Sequence, residues 1–389
     1  MPSKAFRGDC WAYFVFTPMM PFMNTFTLTV LPSGHSYTAG QLRAAPIPPD
    51  LAPHERQALT FCRQWEEGQE TFVLQTSGST GTPKPIALTR VQMAASARMT
   101  GKVLGLGPGD RALVSLNTQY IGGLMMLVRG IELGLRLVVA EPASLPLAGL
   151  GPDVHFHFFS FVPLQLQHTL ETDQTKLELL NGAKAILVGG APVSAALEEM
   201  LGALAAPVYQ TYGMTETVSH VALRRLNGPD RQAHYTLLEG VKMTTDERRC
   251  AVIDPNLPDL PPVVTNDVVE MLTPATFQWL GRADNMINSG GVKVQAEKIE
   301  ALVERMFENL RVKNRFFVAG LPHPELGESV ALLVEGPPLP NRTEAHLTHF
   351  LQHSLTKYER PKSVRYVPSF AETPTGKIDK RLTLTLNRP

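Results

Sequence analysis

From Thr71 to about residue 280, short apolar runs alternate with stretches whose apolar residues recur at helical spacing, the pattern of a layered α/β domain. Thr71-Phe72-Val73-Leu74, Leu135 to Ala140, Lys184 to Val188 and Ala206 to Tyr209 read as strands, the second and third as buried ones. Gly189-Gly190-Ala191-Pro192 follows the third strand and opens a helix-like run from Ser194 to Leu204. A proline-rich stretch over 254–274 reads as mostly irregular. Beyond residue 284 the texture changes. Gln295 to Phe307 places Ile299, Leu302, Val303 and Met306 on one helical face. Arg315 to Ala319 and Ser329 to Val334 read as strands, and a helix from about Thr343 to Tyr358 stops before Pro361. The expected fold class is α/β, with a large layered α/β N-terminal domain over residues 24–283 and a small α+β C-terminal domain over 284–389.

Composition narrows the function classes. A chain of 389 residues that is 43% hydrophobic and 19% charged is a folded, soluble type with more than one domain. Lys+Arg and Asp+Glu balance at 36 each, which gives no basis for a nucleic-acid partner or a polybasic membrane anchor. Cys10, Cys62 and Cys250 lie far apart without CxxC spacing, so neither a disulfide framework nor a zinc site is expected, and the expected compartment is a reducing cytoplasm. Residues 10–24 are apolar, but Asp9, Pro18 and Pro21 interrupt a signal-peptide pattern, and the run is too short for stable membrane insertion. Met19, Met20 and Met23 offer later starts. Residues 1–23 are therefore expected to be a poorly ordered extension or an untranslated one.

The polar loops carry the candidate chemistry. Residues 76–84 supply the hydroxyls of Thr76, Ser77, Ser79 and Thr80, backbone N–H groups opened by Gly78 and Gly81, and the charge of Lys84. Such a loop can cradle phosphate oxygens, and it can equally be a surface turn; Pro83 before the lysine excludes a Walker A loop. Gly190 and Ala191 stand where a strand exits and can form the wall of a pocket or an ordinary turn. In Tyr209 to Glu216, read as a loop after a strand, Tyr212 can stack on a base, Thr215 can bond a phosphate and Glu216 can hold Mg²⁺ through oxygen. Asp267 and Arg282 are polar points in apolar surroundings, suited to ribose hydroxyls or to plain ion pairs. Lys377 sits on a Pro/Gly turn, 374–379, from which it can reach a pocket or simply face water.

Taken together and in order, TSGSTGTPK, YGMTE, TND, GRADNMINSGG and PTGK resemble the core motifs of the adenylate-forming enzymes: acyl- and aryl-CoA synthetases, luciferase and nonribosomal peptide adenylation domains. The resemblance covers roughly residues 71–381. It implies that Thr76 to Lys84 hold the pyrophosphate of ATP, with Tyr212 stacked on adenine, Asp267 and Arg282 at the ribose, and Gly190, Ala191 and Gly213 among the ATP-binding residues. It also implies that Thr215, Mg²⁺ on Glu216 and Lys377 serve adenylation, that Asp284 is a hinge for a mobile C-terminal domain, and that Ser289, Gly290 and Gly291 line the route of coenzyme A. The sequence departs from the pattern at Pro85 and Asn266, where glycine is usual, and in its short N-terminal region.

Within that superfamily the chain is most similar to the short o-succinylbenzoate–CoA ligases of menaquinone biosynthesis, through Tyr120 to Arg129, Ser160 to His168 and Trp279 to Gly291. An acid with a spare carboxylate needs an apolar pocket with one cationic or strong donor group. Tyr120, Ile121, Phe159 and Gly190 are expected to shape it, with Arg129 or His168 meeting the charge, although an ion-paired Arg129 and a solvated His168 are the plainer expectation. The implied partners are ATP, CoA and a small carboxylic acid; a homo-oligomer stays open. Another acyl- or aryl-CoA synthetase, a free-standing adenylation enzyme that loads a carrier protein in trans, and an inactive nucleotide-binding regulator are the alternatives.

Overall fold

The computed structural model describes residues 25–75, 84–151, 154–373 and 378–387. The 1–23 extension, loop residues Thr76 to Gly81, and Lys377 lie outside them.

Residues up to Arg282 are organised by a 13-stranded mixed sheet. Six parallel neighbours form one half in the spatial order Thr27–Val30, Arg136–Val139, Arg111–Val114, Phe158–Phe161, Ala185–Val188, Val208–Gly213. The middle four are short and mostly apolar because cores lie on both of their faces. Ala112 and Val114 point into one core while Leu113 points into the other, as the two-residue period of a strand requires. The other half runs antiparallel from His220–Arg225 out to Lys242–Thr245.

Helix Ile121–Leu133 lies on the first core. It ends at Gly134, whose φ of 67° is a left-handed cap that a side chain would resist. It packs beside helix Arg90–Leu104, which Thr89 and Gln92 open with a reciprocal capping box.

A separate five-stranded sheet begins at Met286–Ser289 and includes Val292–Gln295, Phe316–His323, Gly327–Glu335 and Ser363–Val367. Helices Ala296–Asn309 and Asn341–Ser354 bury Ile299, Val303, Leu347 and Leu351 against it, giving this part a core of its own. The large α/β part and the small α+β part thus follow one another as the fold class requires.

Three local expectations change. The stretch 254–274 is not mostly irregular: its prolines cluster at 255–262, and the β-branched run after them forms the 11-residue strand Val263–Thr273. Tyr209 to Gly213 lie on a strand rather than in a loop, since pairing with His220–Arg225 extends that strand beyond the apolar run. The helix expected to reach Tyr358 ends at Ser354, because Leu355 is extended.

Candidate active site

Strand order determines where a ligand can enter. The connection leaving Arg111–Val114 runs to Arg136–Val139 on one side, whereas the one leaving Phe158–Phe161 runs to Ala185–Val188 on the other. Adjacent strands whose exits diverge leave a crevice at their carboxyl ends. A cavity of about 370 Å³ occupies that place. Leu116, Asn117, Phe161 and Val162 line it from the diverging exits, and Gly189, Gly190, Thr211, Gly213 and Thr215 from the next two strands. Gly123 lets helix Ile121–Leu133 start hard against this wall: a Cβ there would lie 2.5 Å from the Asn117 carbonyl oxygen.

Arg129 projects from the same helix with 2% exposure and lines the cavity. Its guanidinium donates to the hydroxyl of Ser219 at 2.6 Å, to Thr100 Oγ1 at 3.3 Å and to His220 Nδ1 at 3.4 Å. All three acceptors are neutral. No carboxylate of the described residues pairs with it, and burial alone pushes its pKa down to about 10. The expectation of an ion-paired helix residue is therefore corrected. A guanidinium taken from water without an anion carries a desolvation penalty of several kcal/mol, on the order of magnitude seen for buried ions.

His220 completes the cluster. Arg129 has only protons to give, so Nδ1 accepts and the His220 proton sits on Nε2, which meets Thr100 Oγ1 at 3.3 Å. Burial, then the neighbouring cation, hold this imidazole well below its ordinary 6.5. The unfolded chain takes up a proton on His220 as the pH falls below 6.5 while the folded one does not, so its contribution to stability is complete above 6.5 and shrinks below it. Urea unfolding is expected to lose about 1 kcal/mol from this group between roughly pH 7.5 and 5.5. His220→Gln should flatten that part of the slope.

The residues expected at the nucleoside and at the hinge come together from three segments, at Tyr212, Asp267 and Arg282 to Asp284. Tyr212 donates its hydroxyl to Asp267 Oδ2 at 2.9 Å, and its ring packs on Tyr235 and Phe277. Burial, then the Asp267 charge, raise the phenol above its ordinary range. Asp267 stands directly opposite Arg282 in the pair Val263–Thr273 with Thr276–Arg282, with Oδ1 3.8 Å from Nη1. Arg282 grips Asp284 through Nε at 2.9 Å and Nη2 at 3.0 Å. Burial opposes the Asp284 charge, yet those bonds hold its carboxyl below the usual range. Asp284 itself lies in the single turn Ala283–Asn285, between the last strand of the large sheet and the first of the small one.

Thr215 lines the cavity at one end of the turn Thr215–Thr217, and Glu216 next to it is exposed. Ala191 is exposed just beyond Gly190, and Lys84 is exposed at the start of strand Pro85–Thr89. Among the described residues no group of three or more His, Cys, Asp or Glu side chains gathers to hold a metal. A single exposed carboxylate suits Mg²⁺, which keeps water ligands and travels with phosphate oxygens rather than in an all-protein cage.

On the acid side, Tyr120, Ile121, Gly190 and Arg129 line the cavity. Phe159 does not: it is buried in the second core, and Ser160 and Phe161, nearer the carboxyl end of the strand, line the cavity instead. His168, on helix Pro163–Thr172, lies outside the lining as well. Ser219 and His220 were not singled out by the motifs; their only sequence signal is closeness to Glu216. Of the residues expected on the coenzyme route, Gly290 and Gly291 turn with φ of 60° and 81°, and Tyr358 covers Gly290 so closely that a Cβ would come within 2.9 Å of its ring. Ser289 is buried at the end of its strand.

Comparison with known proteins agrees with this geometry. The family described as AMP-binding enzyme matches residues 35–267. A solved acyl-CoA synthetase (AMP-forming)/AMP-acid ligase II-like protein from Dyadobacter fermentans is 46% identical, covering 90% of this chain and 98% of its own, with a TM-score of 0.59. The 2-succinylbenzoate–CoA ligase of Lactococcus lactis is 26% identical over 79% of this chain and 69% of its own length. The o-succinylbenzoate coenzyme A synthetase of Bacillus subtilis, solved with ATP and magnesium ion, shares the fold at 20% identity, covering 80% of this chain and 69% of that one with a TM-score of 0.67. No helix among the described residues is long and apolar enough to cross a membrane. With a match over more than half its length, the chain belongs to the AMP-binding, adenylate-forming enzyme family.

Proposed function

We propose that this protein is an ATP-dependent acid–CoA ligase acting on o-succinylbenzoate. The observation that carries the substrate is Arg129: a buried cation in the wall of a largely apolar cavity, with no carboxylate partner among the described residues. o-Succinylbenzoate is an aromatic dicarboxylate of which one carboxylate reacts, so the other needs a fixed positive charge out of water. Ser219 and His220 keep Arg129 aimed without neutralising it. The names of the Lactococcus and Bacillus relatives support the same acid.

In the first step an oxygen of the reacting carboxylate attacks the α-phosphorus of ATP, and the bond to pyrophosphate breaks. Two anions must meet, so the site has to supply positioned donors and charge rather than a strong base. Thr76, Ser77, Gly78, Ser79, Thr80, Gly81 and Lys84 are assigned to the pyrophosphate, Thr215 to the α-phosphate, and Tyr212, Asp267 and Arg282 to the nucleoside. Glu216 would hold Mg²⁺, which offsets phosphate charge when bound. Lys377 is assigned to neutralise the transferring phosphoryl group. In the second step the CoA thiol loses its proton and attacks the acyl carbon, and AMP leaves. Lys377 must withdraw for this, so residues 284–389 are assigned as a small domain turning at Asp284, with Ser289 to Gly291 on the pantetheine path.

Carboxylate-dependent pyrophosphate release, measured with ATP and CoA, is expected for o-succinylbenzoate and not for benzoate or fatty acids. Equal turnover of benzoate would sink the substrate assignment. Lys377→Ala is expected to lower adenylation by roughly 10²–10³-fold, the loss typical of one transition-state donor. Thioester formation from supplied acyl-adenylate should be nearly unchanged.

A further inference from the structure

Val218 has φ 66° and ψ −47°, a conformation that costs a β-branched residue on the order of 1–3 kcal/mol. The Ser219 N–H donates back to the Thr217 carbonyl at 2.8 Å, closing a strained three-residue γ-turn. Two features hold it there. Val218 is fully buried in the first core, and the Thr217 hydroxyl accepts from the Met214 N–H at 3.0 Å while reaching the Ser219 carbonyl at 2.8 Å. The turn has Thr215 on one side and Ser219 on the other, and both line the same cavity. A loop needing only to reverse direction would place glycine at such a φ.

We infer that Thr217 and Val218 are positioning residues that lock the Thr215 and Ser219 ends of this loop into one unit, so that ATP and the dicarboxylate raise each other's affinity. The inference rests on the functional reading above for what occupies each end. Ser219 is held by Arg129 at 2.6 Å, so a carboxylate anchored there orders the Ser219 end, and the braced turn carries that order to Thr215. The second ligand then meets a loop already fixed. Direct Coulomb repulsion between the two anions acts in the opposite sense, so positive coupling reports the turn and not the charges.

The test is calorimetric titration of the full chain with o-succinylbenzoate, with and without saturating α,β-methylene-ATP. In the unmodified protein the analogue is expected to tighten the acid about tenfold, within the usual range of coupling between sites. Thr217→Ser, which keeps the hydroxyl, should retain this factor. Thr217→Val and Val218→Gly should bring it below about twofold while changing the affinity for the acid alone by less than about threefold, against that same range. Thermal melts of both variants separate loss of coupling from loss of fold, and Val218→Gly, which relieves the strain, guards against misfolding of the other. A coupling factor near one in the unmodified protein, or an undiminished one in both variants, would overturn the inference. Failure of the acid to bind under either condition instead overturns the substrate assignment, and the same ratio is then read with the carboxylate that the turnover panel selects.

Discussion

Arg129→Met is expected to lower kcat/KM for o-succinylbenzoate by about 10²-fold or more and, at the same time, to stabilise the ligand-free protein. Removing one partner of a buried, hydrogen-bonded charge pair costs about 2–5 kcal/mol, and here the partner left unpaired is the spare carboxylate of the acid. An aromatic acid with a single carboxylate makes no use of that cation, so its low residual turnover should change by less than about threefold. The free protein responds with the opposite sign. Arg129 is buried against Thr100, Ser219, His220 and Met126, with no anion among the described residues, and an unbranched apolar side chain of similar length suits that space. Replacing buried charge by apolar volume is commonly neutral or stabilising by about 1–4 kcal/mol. Pyrophosphate-release kinetics and urea unfolding measured on one preparation decide the matter. A purely structural arginine would lower stability and affect both acids alike.

Gly213→Ala is expected to disable both halves of the site. An added Cβ would lie 2.5 Å from His220 Cα and closer still to the Ser219 carbonyl oxygen. Both are backbone atoms, so no rotamer change relieves the contact, and the pairing of Val208–Gly213 with His220–Arg225 must open. Tyr212 and Thr215 lie on one side of that opening, Ser219 and His220 on the other. A misplacement of about 1 Å is enough for a loss near 10²-fold, and overpacking of this kind costs about 1–3 kcal/mol of stability. The KM values for ATP and acid should therefore rise together. Gly202→Ala, where an added Cβ meets nothing within 4 Å, serves as the neutral comparison.

How much of this was legible in the sequence depends on whether the signal was local. Ala185–Val188 is apolar at every position and fully buried, and it reads as a strand without any partner being known. The helix Ala296–Asn309 announces itself through the spacing of Ile299, Val303 and Phe307. The large and small parts of the fold follow from that change in texture. Val263–Thr273 was hidden because neighbouring prolines suggested irregular chain, although all but the last of them precede the strand. Phe159 misled because a run of aromatics does not say how far along the strand the cavity begins; only Ser160 and Phe161, at its carboxyl end, reach the lining. His168 had polarity and the right segment, but helix Pro163–Thr172 carries it away from the lining.

By itself, the sequence determined the family: five short motifs in one order carry the resemblance, because each is written in a few consecutive residues, and the roles proposed for Tyr212, Glu216, Asp267, Arg282 and Lys377 rest on it. Tertiary structure alone decided that Arg129 has no anion among the described residues, that His220 is neutral beside it, and that Tyr212, Asp267, Arg282 and Asp284 form one hydrogen-bonded and ion-paired line. The physical reason is range. A turn or an amphipathic helix is encoded within a few residues, whereas the charge state and direction of a buried group depend on atoms that folding brings from helices and strands far apart in the chain.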